Sequence, residues 1–228
     1  MVVLATKLYV EGDARDRALD SLRSLVDNEI GDLDVDFDIG VRHDDFPSVT
    51  IEGDDAVVAR NVLREEFGEI VPDLEAGETY VGTLESWDDD GFVLDAGQGE
   101  GVRIPSAELG LGPGSPEQIR ERYGLVQHLP LRFVYEAPDA DGRSRLADDE
   151  VDRLYEWTRG TGRLNVNSAT RAEVRATLNR AGHAQDYVTV ERLGLLEQSV
   201  ICTEGTDPPG LLASVGEYLP AELRCVVP

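Results

Sequence analysis

Gly77-Glu-Thr-Tyr-Val-Gly-Thr-Leu-Glu-Ser-Trp-Asp-Asp-Asp-Gly-Phe-Val-Leu-Asp-Ala-Gly-Gln-Gly-Glu-Gly-Val-Arg-Ile-Pro-Ser106 is the stretch that decides the architecture of this 228-residue chain. Residues 79–87, 91–96 and 101–104 are three short β-rich runs, divided by an Asp88-Asp89-Asp90 turn and a Gly97-Gln98-Gly99-Glu100 turn. Downstream, Ser115-Pro116-Glu117 sets an N-cap with proline at the first helical position, so a short helix is expected to Tyr123. A further strand over 129–136 and a hairpin turn at 138–142 follow. Strands this short, interrupted by one small helix, predict a small β-barrel.

The flanks read differently. Residues 2–10 are a β-rich run, and Ala18, Leu19, Leu22, Leu25 and Val26 recur at helical spacing over 13–30. Val35, Phe37, Ile39 and Val41 alternate, and 47–51 gives the second arm of a hairpin. A helix carrying Ala59, Val62, Leu63 and Phe67 ends at Gly68, and 69–71 is a candidate last strand. The order βαββα predicts a ferredoxin-like α+β sandwich over 1–72. The barrel then occupies 73–147, and residues 148–162 read as a connecting helix and linker. A strand at 163–166, a helix over 168–181, strands at 187–192 and 198–203, a helix over 209–218 and a strand at 223–227 give βαββαβ, a second ferredoxin-like unit over 163–228. Its usual strand order, 4-1-3-2, separates Cys202 from Cys225 by one strand, so these two thiols are expected to be free. The fold class is therefore α+β and multi-domain.

Charge distinguishes the three parts. The chain holds 46 acidic and 21 basic residues, a formal net charge of −25, and Lys7 is its sole lysine among 20 arginines. Molar salt shortens the Debye length to about 3 Å and screens such self-repulsion, so the composition predicts a protein of a halophilic cytoplasm. With 41% hydrophobic residues the chain is expected to fold, and no signal-peptide pattern or membrane-length apolar run is apparent. Residues 1–76 carry 20 acids against 7 bases, 77–150 carry 16 against 6, and 151–228 only 10 against 8. Within 153–180, six arginines face only Glu156 and Glu173, which marks a partner-facing surface. Arg159, Arg163, Arg171, Arg175 and Arg180 are its expected partner-binding residues.

The glycines of Gly77–Trp87, the Gly91-Phe92-Val93-Leu94 step and Gly101–Ser106 resemble the S1-type oligonucleotide-binding fold over roughly 60 residues. That resemblance implies a face on which bases stack on Trp87 and Phe92, with Arg103 and Arg132 meeting phosphate or base edges. The chain departs from the pattern at Ile104, where the family often has a histidine before the serine, and at the acidic turn. As a whole the chain also resembles an uncharacterised archaeal protein family, which brings no catalytic residues to carry over.

Other motifs are better explained by local structure. Residues 164–174 resemble the opening of helix-hairpin-helix segments but lack the glycine pair, so a strand and an Asn or Ser N-cap is the preferred reading, with Arg171, Arg175 and His183 as a possible anion-facing rim. Asp207-Pro-Pro-Gly-Leu-Leu212 resembles a step of amino-acid-binding regulatory domains, yet a helix start capped by Asp207 explains the same residues. The three histidines are dispersed and the cysteines lack a base partner, so no metal, cofactor or nucleophile is expected. Two functions remain. The first is a non-catalytic factor of transcription or translation that binds RNA or single-stranded nucleic acid through the barrel. The second is an adaptor that docks on polymerase or ribosome through protein contacts alone.

Overall fold

A computed structural model describes residues 1–137 and 142–228. The expected hairpin turn at 138–142 lies mostly outside the described residues. Among the described residues, three antiparallel sheets and six α-helices follow one another along the chain. The first unit holds β1 (Val2–Val3), α1 (Gly12–Ile30), β2 (Asp36–Val41), β3 (Pro47–Glu52) and α2 (Ala56–Phe67). Its sheet has the order β1-β3-β2. The apolar stripe read at Ala18, Leu22 and Val26 is buried with Leu63 and Val49 against it, as its helical period requires.

The expected first strand is shorter than predicted. Only Val2 and Val3 pair with β3, and one bridge joins Leu4 to Glu69 in place of a last strand. The side chains of 6–9 explain the departure: Thr6, Lys7 and Tyr9 bond the other two units, while the Leu8 amide donates to the Asp45 carbonyl. A continuous strand would turn alternate side chains away from those partners.

The middle unit is a five-stranded sheet curled into a half-barrel, with the order β6-β5-β4-β7-β8. It is built from β4 (Thr79–Asp88), β5 (Gly91–Asp95), β6 (Val102–Pro105), α3 (Pro116–Tyr123), β7 (Pro130–Val134) and β8 (Arg145–Leu146). At the β4–β5 turn, Gly91 has φ +150° and a side chain there would strike the Ile104 backbone, so only glycine fits. Ser115 caps α3 in a full capping box with Gln118, and Gly124 closes it in the left-handed conformation. Helix α4 (Asp148–Trp157) forms the helix expected within 148–162. Its Leu154 and Trp157 are buried in the half-barrel's own core.

The last unit holds β9 (Arg163–Val166), α5 (Arg171–Arg180), β10 (Tyr187–Arg192), β11 (Gln198–Cys202), α6 (Pro208–Val215) and β12 (Leu223–Val226), in a sheet ordered β10-β11-β9-β12. Cys202 and Cys225 lie on strands separated by β9, and both are free thiols. The cap of α5 is Thr170, in a capping box with Glu173, and not Asn167 or Ser168. Asp207 caps α6 as read, accepting from the Gly210 amide at 3.0 Å.

Candidate interaction site

The nominated barrel residues are already occupied by the protein itself. Phe92 is 0% exposed and packs with Leu84, Leu94 and Ile104 in the half-barrel core, so its face cannot meet a base. The S1-type resemblance implied a base-stacking role for Phe92, but it pairs directly with Trp87 in the β4–β5 ladder and both side chains pack on the core side of the sheet. Trp87 is half-buried, and the Arg120 guanidinium lies 3.4 Å from its ring centroid. Arg120 is itself only 2% exposed and is fixed by ion pairs to Glu222 and Glu117. Arg103 makes two bonds to Asp88, at 2.8 and 2.9 Å, and Arg132 meets Asp149 at 2.8 Å. The acidic turn thus neutralises the arginine expected to read phosphate.

The second set divides. Arg159 pairs with Glu156 at 2.7 Å, and Arg163 pairs with Glu191 at 2.8 Å. Arg171, Arg175 and Arg180 are exposed on α5 and form no ion pair among the described residues. Residues 171 and 175 are four apart and share a helix face. His183 does not join them as a rim: its two ring nitrogens lie 2.7 Å from Asp186 and 2.6 Å from Ser214.

Arg163 and Arg171 both reach a groove of about 800 Å³ where the three units meet. It is lined by Ser21, Leu25 and Glu29 of α1, by Arg153, Glu156 and Trp157 of α4, and by β10, the edge strand of the last sheet. Arg153 and Arg163 lie 5.0 and 5.2 Å from the Trp157 ring, and Arg192 pairs with Glu66. Trp157 and Arg192 were missed by the sequence reading. Trp157 is one apolar position in a helical pattern, and Arg192 stands among strand residues with no arginine nearby in sequence.

A buried polar junction, also illegible in the sequence, holds the units in place around this groove. Lys7 reaches Glu85 at 3.0 Å and Asp95 at 2.7 Å. Burial works against its ammonium, but these two carboxylates outweigh it and leave its pKa raised. The Tyr9 hydroxyl donates to Glu197 at 2.7 Å, accepts from the Ser168 amide at 2.9 Å, and its ring sits 3.9 Å from that of His128. Glu197 is fully buried, and desolvation pushes its carboxyl up to about 8.

Among the described residues no group of three or more His, Cys, Asp or Glu is placed to hold a metal ion, and no helix is long and apolar enough to cross a membrane. No curated protein matches the chain. Three family models do, in succession: the DUF2110 N-terminal domain over residues 1–73, the DUF2110 central domain over 74–158 and the DUF2110 C-terminal domain over 161–227. The central match takes in α4, in keeping with its burial in the half-barrel core. Matched along nearly its whole length, the chain belongs to the DUF2110 family.

Proposed function

We propose that this protein is a non-catalytic interaction factor of a halophilic archaeon, acting in the cytoplasm by docking an acidic protein partner on its last unit. The observation that carries this reading is the contrast in arginine pairing. Every arginine nominated on the half-barrel is held by an acid of the same chain, whereas Arg171, Arg175 and Arg180 stand exposed and unpaired among the described residues. Arg64 and Arg122 also form no ion pair among the described residues, but only α5 carries three such arginines on one helix, which in a chain of net charge −25 supports an interaction surface there.

The reading takes the last unit as ferredoxin-like, supported by its βαββαβ order and its β10-β11-β9-β12 sheet. It takes the half-barrel as an S1-type module whose usual nucleic-acid face has been given over to internal contacts. Partners in transcription or translation suit such a module. The test is capture on the intact protein in about 2 M KCl, where loose electrostatic association is screened, with nuclease treatment of the bound fraction. A protein that survives nuclease and is lost on the triple change Arg171→Glu, Arg175→Glu, Arg180→Glu supports the proposal. RNA that is bound directly and unaffected by the triple change would instead restore the nucleic-acid reading.

A further inference from the structure

The first unit leaves one strand edge open. The Arg42 amide donates to the Phe46 carbonyl at 2.9 Å, which makes 42 and 46 a bonded pair of the β2–β3 hairpin. The register runs back through Val41↔Pro47, Gly40↔Ser48, Ile39↔Val49, Asp38↔Thr50, Phe37↔Ile51 and Asp36↔Glu52. Bonded and non-bonded pairs alternate, so Phe37, Ile39 and Val41 turn their N–H and C=O groups away from β3. Pro47 agrees with this phase: it has no N–H to give Val41, and its carbonyl accepts from the Leu4 amide on the opposite side. Strand β2 ends the sheet, and the main chains of 37, 39 and 41 bond no other group among the described residues. None of the six residues of β2 is buried. The sheet's other edge is closed, because the Ile70 amide donates to the Val3 carbonyl at 2.8 Å. An open edge is a template for another strand.

The side chains of β2 divide between the two faces of the sheet. Phe37, Ile39 and Val41 lie on the face that packs with α1 and α2, where they are only partly covered. Asp36, Asp38 and Gly40 are exposed on the other face, beside exposed Thr50 and Glu52. This edge is complementary to itself. Paired antiparallel with a second copy about Ile39, all three outward residues of each strand find a partner: Ile39 meets Ile39, and Phe37 meets Val41. On the exposed face Asp38 then lies opposite Gly40. Asp36 lies opposite a cation, Arg42, which it shares with Arg42's own partner Asp44 at 2.7 Å. Centred on Asp38 instead, the pairing would set that carboxylate against its own copy, and like charges directly opposite are destabilising. Centred on Gly40, it would leave Phe37 past the end of the opposing strand.

We infer that β2 pairs antiparallel with β2 of a second copy about a two-fold axis at Ile39, joining their sheets into one, and that this pairing forms in molar salt. Main-chain bonds and the meeting of Phe37, Ile39 and Val41 with their counterparts supply the affinity. Asp36, Asp38 and Glu52 of both copies come onto one face, and in dilute buffer such acids guard an edge against pairing. At about 1 M salt the Debye length falls to about 3 Å, which screens their repulsion. The inference goes beyond the adaptor reading and is independent of it, since β2 belongs to the first unit and the arginines of α5 to the last.

The test is the mass of the intact 24.9 kDa chain by sedimentation equilibrium in about 0.2 M and about 2 M KCl. Twice that mass is expected at high salt, with a dimer dissociation constant at least about tenfold lower than in dilute salt. Changing Asp36→Asn and Asp38→Asn together should carry the dimer into dilute salt. Cross-linking reads the register: under oxidation, chains with Asp38→Cys should join to chains with Gly40→Cys, while neither variant joins to itself and wild type, with Cys202 and Cys225, stays unlinked. Circular dichroism checks that both variants fold. Should Gly40→Cys not fold, slowed amide exchange at Phe37, Ile39 and Val41 of wild type in 2 M KCl, relative to dilute salt, carries the test. A chain monomeric at both salts, a dimer that leaves those amides unprotected, or protection that appears only when a different protein is added overturns self-pairing.

Discussion

Replacing Glu197 with glutamine should flatten the pH dependence of this protein's stability. The carboxyl is 0% exposed, one oxygen accepts from Tyr9 at 2.7 Å, and the other has no hydrogen-bond partner among the described residues. Burial raises its pKa from the model-compound value of 4.5 to about 8. Between those values the folded protein holds a proton that the unfolded chain has released. Stability is therefore complete below the lower value and falls as pH rises through the upper one. Converted by linkage, a shift of this size amounts to up to about 5 kcal/mol across the window, comparable with the whole stability of a small domain. Glutamine keeps the shape and the acceptor for Tyr9 but cannot ionise. Urea unfolding of wild type and Glu197→Gln at pH 5, 6.5 and 8, in constant molar salt, isolates the effect from all other groups. Wild type should lose stability relative to the variant by a few kcal/mol between pH 5 and pH 8. Parallel profiles for the two proteins would show that Glu197 is solvated or finds a cationic partner, and the reasoning from burial would be wrong.

Phe92→Ala removes a fully buried ring from the half-barrel core and should cost about 3–5 kcal/mol in thermal or chemical unfolding; a change below about 1 kcal/mol would return Phe92 to the surface. Arg120→Met strips the cation from Trp87 and leaves Glu222 with Arg224 alone, so a loss of about 2–3 kcal/mol and a shift in tryptophan emission are expected. Thr170→Ala deletes the capping oxygen of α5 and should cost about 1 kcal/mol, measured by the unfolding midpoint. Gly194→Ala would drive its methyl into the Glu197 carboxylate and Pro130, and should destabilise by about 1–3 kcal/mol.

Local signals were legible where they are local in cause. The period of Ala18, Leu22 and Val26, the Ser115-Pro116 start of α3 and the Asp207 cap each depend on neighbours within a turn or two, and each appears where the pattern placed it. Residues 187–192 form the expected strand for the same reason: alternation is a property of the strand itself. Where a segment's partners are distant, the reading failed. Residues 6–9 have strand-like composition, yet their bonds go to residues 85, 95, 195 and 197, so the strand stops at Val3. The site followed the same division. Arg171 was visible because it lies in a stretch where six arginines meet only two acids, but Arg192 and Trp157 join it only through the packing of β10 near α1 and α4.

By itself the sequence determined the three-part plan, the caps, the strand periods and the uneven charge, because each is written in residue type and spacing. Tertiary structure alone decided which charges remain available. Charge counts cannot tell that Arg103 and Arg132 are spent on Asp88 and Asp149, or that Arg120 closes over Trp87. Nor can they tell that the sole lysine sits between two carboxylates at a buried junction. Coulomb energy and desolvation depend on distance and burial, and those quantities exist only once separate segments have packed together.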